Sequence, residues 1–173
     1  MSTDTPQQRT PETVDAWRAV AARRVFEGHV PLAAFTRLHG LLLDTRGDVR
    51  YSLQFDTDAL QIPYVELQVD AELPLECQRS LQRFELPVRL VQRLGLIRDE
   101  ADEAGLPGEY EALLVADDGQ LQLLDLIEDE LVLAVPAVPV DPDSEAVERE
   151  FPAQEEELAK ASPFAALSSL KKQ

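Results

Sequence analysis

Residues Leu123–Val140 read LLDLIEDELVLAVPAVPV, and they combine a carboxylate-bearing helix start, a continuous apolar face and a proline stop. Asp125 is placed to cap the helix, with Glu128 three residues later in the capping-box spacing. Ile127, Leu131, Ala134 and Val135 then recur at the i, i+4, i+7, i+8 spacing of one apolar stripe. Pro136 disfavours helical backbone at Val135, so the spacing predicts a helix over Asp125–Val135 and extended chain through Pro139.

Working back from this stretch, Asp118-Gly119 is a turn signal, preceded by a short apolar run, Ala112–Ala116, and an acidic Gly/Pro-containing loop, Arg98–Glu109. Phe84–Leu96 reads as a strand, antiparallel across the turn Gln78–Gln82 to a long alternating run, Val65–Leu75. Pro74 lacks a ladder donor and is expected at an edge or a bulge. Val49, Tyr51, Leu53 and Phe55 alternate as a strand with one buried face, and Val25–Val30 reads as a shorter one. Leu32, Phe35 and Leu38 predict a short helix within Pro31–Leu41. Thr10-Pro11-Glu12 predicts the start of a helix ending near Arg24.

The expected architecture is α+β, a curved antiparallel sheet of about five or more strands covered by two or three short helices, with barrel-like closure left open. Residues 10–140 form the domain of this reading. Residues 1–9 are expected to be disordered, 141–161 to be a flexible acidic linker, and 162–173 a short docking segment whose Phe164, Leu167 and Leu170 share one side.

Charge is distributed unevenly along the chain, whose formal net charge is −17. Residues 1–98 carry 12 Arg and 13 acids, whereas residues 99–173 carry 4 basic and 20 acidic residues. Within Cys77–Arg98 five arginines, Arg79, Arg83, Arg89, Arg93 and Arg98, face a single acid, Glu85. The longest apolar run, Leu131–Val140, is too short and too proline-broken to cross a bilayer, and the N-terminus lacks the regions of a signal peptide. One cysteine excludes an internal disulfide, and a cytoplasmic location is expected.

The order of LECQRS, EYEALLV, DDGQLQLLDLIEDELVLAVPAVPV and PFAALSSLKK resembles the YceD family, the large ribosomal RNA subunit accumulation proteins of bacteria and plastids, over about residues 20–173. The resemblance implies a non-catalytic factor in ribosome biogenesis that supports synthesis, processing or stability of 23S ribosomal RNA, without supplying a mechanism. Many members carry Cys-x-x-Cys where this chain has Cys77-Gln78-Arg79-Ser80, so a four-ligand zinc site is not expected, His29 and His39 being elsewhere in the chain. No cofactor, metal or catalytic residue is assigned.

Two binding modes follow. In one, Arg79, Arg83, Arg89, Arg93 and Arg98 contact 23S rRNA or its precursor, the odd-numbered arginines up to Arg93 sharing one strand face. In the other, the acidic C-terminal half holds a basic large-subunit ribosomal protein, with Phe164, Leu167 and Leu170 as a docking arm. The alternatives are an acidic holder of a basic protein unrelated to rRNA and, further off, a cysteine- or carboxylate-dependent enzyme. Oligomeric state is open.

Overall fold

The structure of the protein, a computed structural model, describes residues 11–145. Its main element is a five-stranded sheet of β2 (Val25–Pro31), β3 (Asp48–Thr57), β4 (Pro63–Glu76), β5 (Arg83–Ile97) and β6 (Glu111–Leu114), in that spatial order. Strands β2 to β5 form an antiparallel meander. The sheet is open, with β2 and β6 as its edges, and does not close into a barrel. A two-stranded ladder, β1 (Thr13–Asp15) with β7 (Gln120–Gln122), lies beside it.

One strand departs from the antiparallel expectation: β6 runs parallel to β5. The connection between them, residues 98–110, is a crossover of the length parallel pairing requires, where a tight hairpin would have reversed the chain. It includes a 3-10 turn, Glu100–Gly105, and folds back so that Leu106 packs on Gly95 of β5. Gly95 is what admits this contact, because a Cβ there would sit 2.9 Å from a Leu106 methyl.

Alternation along β3 and β4 buries Tyr51, Leu53, Phe55, Val65, Leu67, Val69, Ala71 and Leu73 on one face, matched on β5 by Val88, Leu94 and Leu96. Two helices, α1 (Ala16–Ala21) and α2 (Leu123–Ala134), complete the core with Ala16, Ala19, Leu123, Ile127 and Leu131. Each large aliphatic side chain fully buried in this way contributes about 1.5–3 kcal/mol. Pro74 fits its expectation: β3 pairs with β4 only as far as Asp70, so Pro74 lies where β4 has lost its neighbour on that side, and its carbonyl instead accepts from the Leu43 N–H.

The helix termini differ from expectation. Residues 13–15 are held extended by β7, so α1 starts later than Thr10, with Asp15 as its cap accepting the Arg18 N–H at 2.9 Å. The run Pro31–Leu41 folds as two 3-10 turns, Leu32–Ala34 and Thr36–Gly40, because Phe35 adopts extended backbone between them. Helix α2 begins at Leu123 with Gln122 as its N-cap, so Asp125 is a first-turn residue rather than the cap.

Glu128 makes no capping box. It is buried, and its carboxylate accepts the Arg37 backbone N–H at 2.6 Å and the Arg37 Nε at 2.9 Å. Asp129 and the Asp125 carbonyl take the remaining guanidinium nitrogens, so Arg37 ties the second 3-10 turn to α2. Hydrogen bonds donated to Glu128 and then Asp129 hold the guanidinium pKa above its ordinary value.

Candidate interaction surface

The outward face of the sheet is polar, and register decides which charges meet on it. Pro87 does not interrupt β5, so Arg83, Arg89 and Arg93 do share one face, as the alternation predicts. Each, however, lies beside an acid. Arg93 pairs with Glu66, its direct cross-strand partner, at 2.9 Å, and its guanidinium also lies over the Tyr64 ring. Arg89 pairs with its partner Asp70 at 3.4 Å. Arg83 bonds Asp44 and Glu85, both at 3.0 Å. These contacts have electrostatic signatures: Arg93 holds the Glu66 carboxyl below its ordinary value, and Arg46, then Arg83, do the same for Asp44.

Arg79 and Arg98 are not part of that band. Arg79 sits in the β4–β5 turn, donating to the Ser144 hydroxyl and the Asp141 carbonyl, while Arg98 stacks on Trp17, 4.0 Å from the ring centroid. The structure adds a cation that sequence reasoning missed, Arg50. Register aligns His29, Arg50, Asp70 and Arg89 across four strands, so two arginines flank one aspartate at mid-sheet. Alternation around Tyr51 already places Arg50 on the polar face, but only the pairing places it near Arg89.

Cys77 closes a clasp at the hairpin end. Its buried sulfur accepts N–H groups from Ser80 at 3.4 Å and Asp141 at 3.3 Å, and the Ser144 hydroxyl lies 3.3 Å away. The Gln78 N–H donates to the Pro139 carbonyl at 2.8 Å. The chain leaving α2 is thereby stitched to the β4–β5 turn. Burial pushes the thiol pKa up, but the hydrogen bonds from Ser144, Ser80 and the Asp141 N–H outweigh it and bring the thiol to about 6. Neither histidine takes part: His39 bonds the Ala33 carbonyl, and His29 is exposed on β2. Among the described residues no group of three or more His, Cys, Asp or Glu is placed to hold a metal ion.

The second half of the domain is anionic. Residues 99–145 include 15 acids and no Lys or Arg. They form the crossover, the exposed edge strand β6, the β6–β7 turn and α2. Glu111 and Glu130 face one another closely enough that burial, then the Glu111 charge, raise the Glu130 pKa. Residues 11–98, by contrast, contain 11 Arg and 12 acids, close to balance.

No helix among the described residues is long and apolar enough to cross a membrane. Phe164, Leu167 and Leu170, the N-terminal segment 1–9, the docking segment 162–173 and residues 146–161 of the expected 141–161 linker lie outside the described residues.

Comparison with known proteins gives a consistent result. The family described as "Large ribosomal RNA subunit accumulation protein YceD" matches residues 65–171. A protein of that same name from Haemophilus influenzae is 29% identical over 170 residues, covering 94% of this chain and 97% of the relative. No solved structure matches. A match running from the start of the central strand β4 through α2, over more than half of the chain, shows that this protein belongs to the YceD family of large ribosomal RNA subunit accumulation proteins.

Proposed function

We propose that the protein is a non-catalytic cytoplasmic factor of ribosome biogenesis that supports accumulation of 23S rRNA by holding a basic large-subunit ribosomal protein on its acidic half. Family membership supports the ribosomal role. The observation that carries the partner is charge segregation: from Asp99 to Glu145 no cation interrupts 15 acids, while Arg83, Arg89 and Arg93 are each beside a carboxylate. On the first surface a polycation meets acids of which, among the described residues, Glu128 and Asp129 are the ones already held by a cation, Arg37, whereas a phosphate backbone must compete with Glu66, Asp70, Asp44 and Glu85 for the arginines.

Direct contact with 23S rRNA or its precursor is the second reading. It is favoured by the His29–Arg50–Asp70–Arg89 row, in which two arginines flank one acid and Arg89 is 83% exposed.

Crosslinking in cells, followed by identification of both RNA and protein partners, separates the two. The proposal expects a basic large-subunit protein as the main adduct, and its capture falls steeply with salt and with Glu100→Gln/Asp102→Gln/Glu103→Gln. Recovery of 23S precursor alone, diminished by Arg50→Gln/Arg89→Gln and not by the acidic changes, replaces it with the RNA reading.

A further inference from the structure

Between α1 and β2 runs a groove of about 610 Å³ that neither binding mode uses. Its apolar lining includes Val14, Ala19, Ala22 and Phe26, and the exposed Arg18 and Arg24 also line it. The one acid in the lining, Asp15, is engaged in capping α1. Arg24 lies over the Phe26 ring at 5.2 Å, and neither the Arg18 nor the Arg24 guanidinium is ion-paired with a carboxylate among the described residues. The groove therefore complements a segment that carries carboxylates next to large apolar side chains. RNA suits its cations but not its apolar walls.

The chain itself contains such a segment. Residues Glu155–Phe164 read EEELAKASPF, three consecutive glutamates followed by Leu158 and Phe164. We propose that this stretch docks in the α1–β2 groove of its own chain, its glutamates against Arg18 and Arg24 and its apolar residues against Ala19, Ala22 and Phe26. The first ten residues fit less well, with one acid and Met1 as their sole large apolar residue.

Reach is consistent with docking in cis. The chain passes Cys77 at Ser144, and the groove lies near Phe26, whose cross-sheet neighbours are Leu53 and then Leu67. Ten residues of strand separate Leu67 from Cys77, roughly 33 Å at about 3.3 Å per residue. The ten residues from Glu145 to Glu155 span roughly 33–36 Å when extended, and the nineteen to Phe164 span roughly 63–68 Å. Glu155 is thus about the first residue able to arrive, and tethering raises its local concentration to about the millimolar range.

The composition provides a direct test. Trp17, on α1 next to Arg18, is the single tryptophan, and Cys77 is the single cysteine. In full-length Cys77→Ser/Ser162→Cys labelled with a dansyl acceptor, docking predicts strong energy transfer from Trp17 that falls with salt and is independent of protein concentration. Arg18→Glu/Arg24→Glu should reduce the docking constant about tenfold, for two exposed ion pairs reversed. Because Cys77→Ser alters the clasp, amide exchange at Ala19–Phe26 provides a second measurement with native Cys77. Protection there should drop in full-length Glu155→Lys/Glu156→Lys/Glu157→Lys. Transfer unchanged by the groove charge reversal overturns the proposal, as does unchanged protection. Transfer that appears only between labelled and unlabelled molecules assigns the groove to a second copy, and loss of binding to a single-stranded RNA probe without loss of transfer assigns it to nucleic acid.

Discussion

The Arg37–Glu128 contact predicts an asymmetry between its two partners. Removing Arg37 strands a carboxylate that is 7% exposed, whereas removing the charge of Glu128 frees a guanidinium about half of which already meets water. Arg37→Met should therefore destabilise the domain by on the order of 3 kcal/mol, the cost of a buried charge left unpaired. Glu128→Gln keeps an acceptor for the Arg37 N–H and should cost only about 1 kcal/mol. The double variant then carries no stranded charge and should be more stable than Arg37→Met alone. Urea unfolding followed by Trp17 fluorescence measures all three. Arg37→Met costing no more than Glu128→Gln, or a double variant at the sum of the singles, would refute the view that this carboxylate is stable only as half of a pair.

Other features give shorter tests. The Cys77 thiol is brought to about 6 in the fold against about 8.5 in an unfolded chain, so its contribution is complete above about 8.5 and lost as pH falls through 6. The melting-temperature difference between wild type and Cys77→Ser should accordingly widen from pH 6 to pH 9, and a flat difference would contradict the thiolate assignment. Gly95→Val should push Leu106 off the sheet and cost about 1–3 kcal/mol, with new proteolytic sensitivity in residues 98–110; an unchanged melting point would rule out that close approach. Burial, together with donation to Asp58 at 2.8 Å, pushes the Tyr110 phenol up to about 12, so ultraviolet titration should show one tyrosine ionising last, and its absence in Tyr110→Phe identifies it.

Much of the sheet was legible because its signal is local. Val49–Phe55 and Val65–Leu75 alternate without a break, and β3, β4 and β5 occupy nearly the expected ranges. The misreadings occurred where distant partners override local preference. Glu128 has the spacing of a capping residue, yet its partner is Arg37, 91 positions away, which no periodicity reports. Thr10-Pro11-Glu12 has the composition of a helix start, but pairing with β7 keeps residues 13–15 extended. The arginine band shows the same limit. Parity correctly placed Arg83, Arg89 and Arg93 on one face, but their neutralisation depends on register with Glu66 and Asp70, and the sequence lists those acids in a different strand. The α1–β2 groove was not legible at all, since Val14 of β1 and Phe26 of β2 belong to elements that only packing brings together.

The Cys77 clasp also bears on how the domain opens. Its bonds to the chain leaving α2, from Gln78 to Pro139 and from Cys77 to Asp141 and Ser144, join residues more than 60 positions apart, whereas the β4–β5 hairpin it fastens onto closes through the short turn at residues 77–82. Such a contact carries a large loop-closure cost and, being made by a few bonds at the sheet's end, can be lost while the hairpin ladder stays intact. The segment from Pro136 to Ser144 should then open as a unit of its own, with amides at Gln78 and Asp141 expected to exchange faster than those of central β4, making a thermodynamic hinge at the end of the sheet.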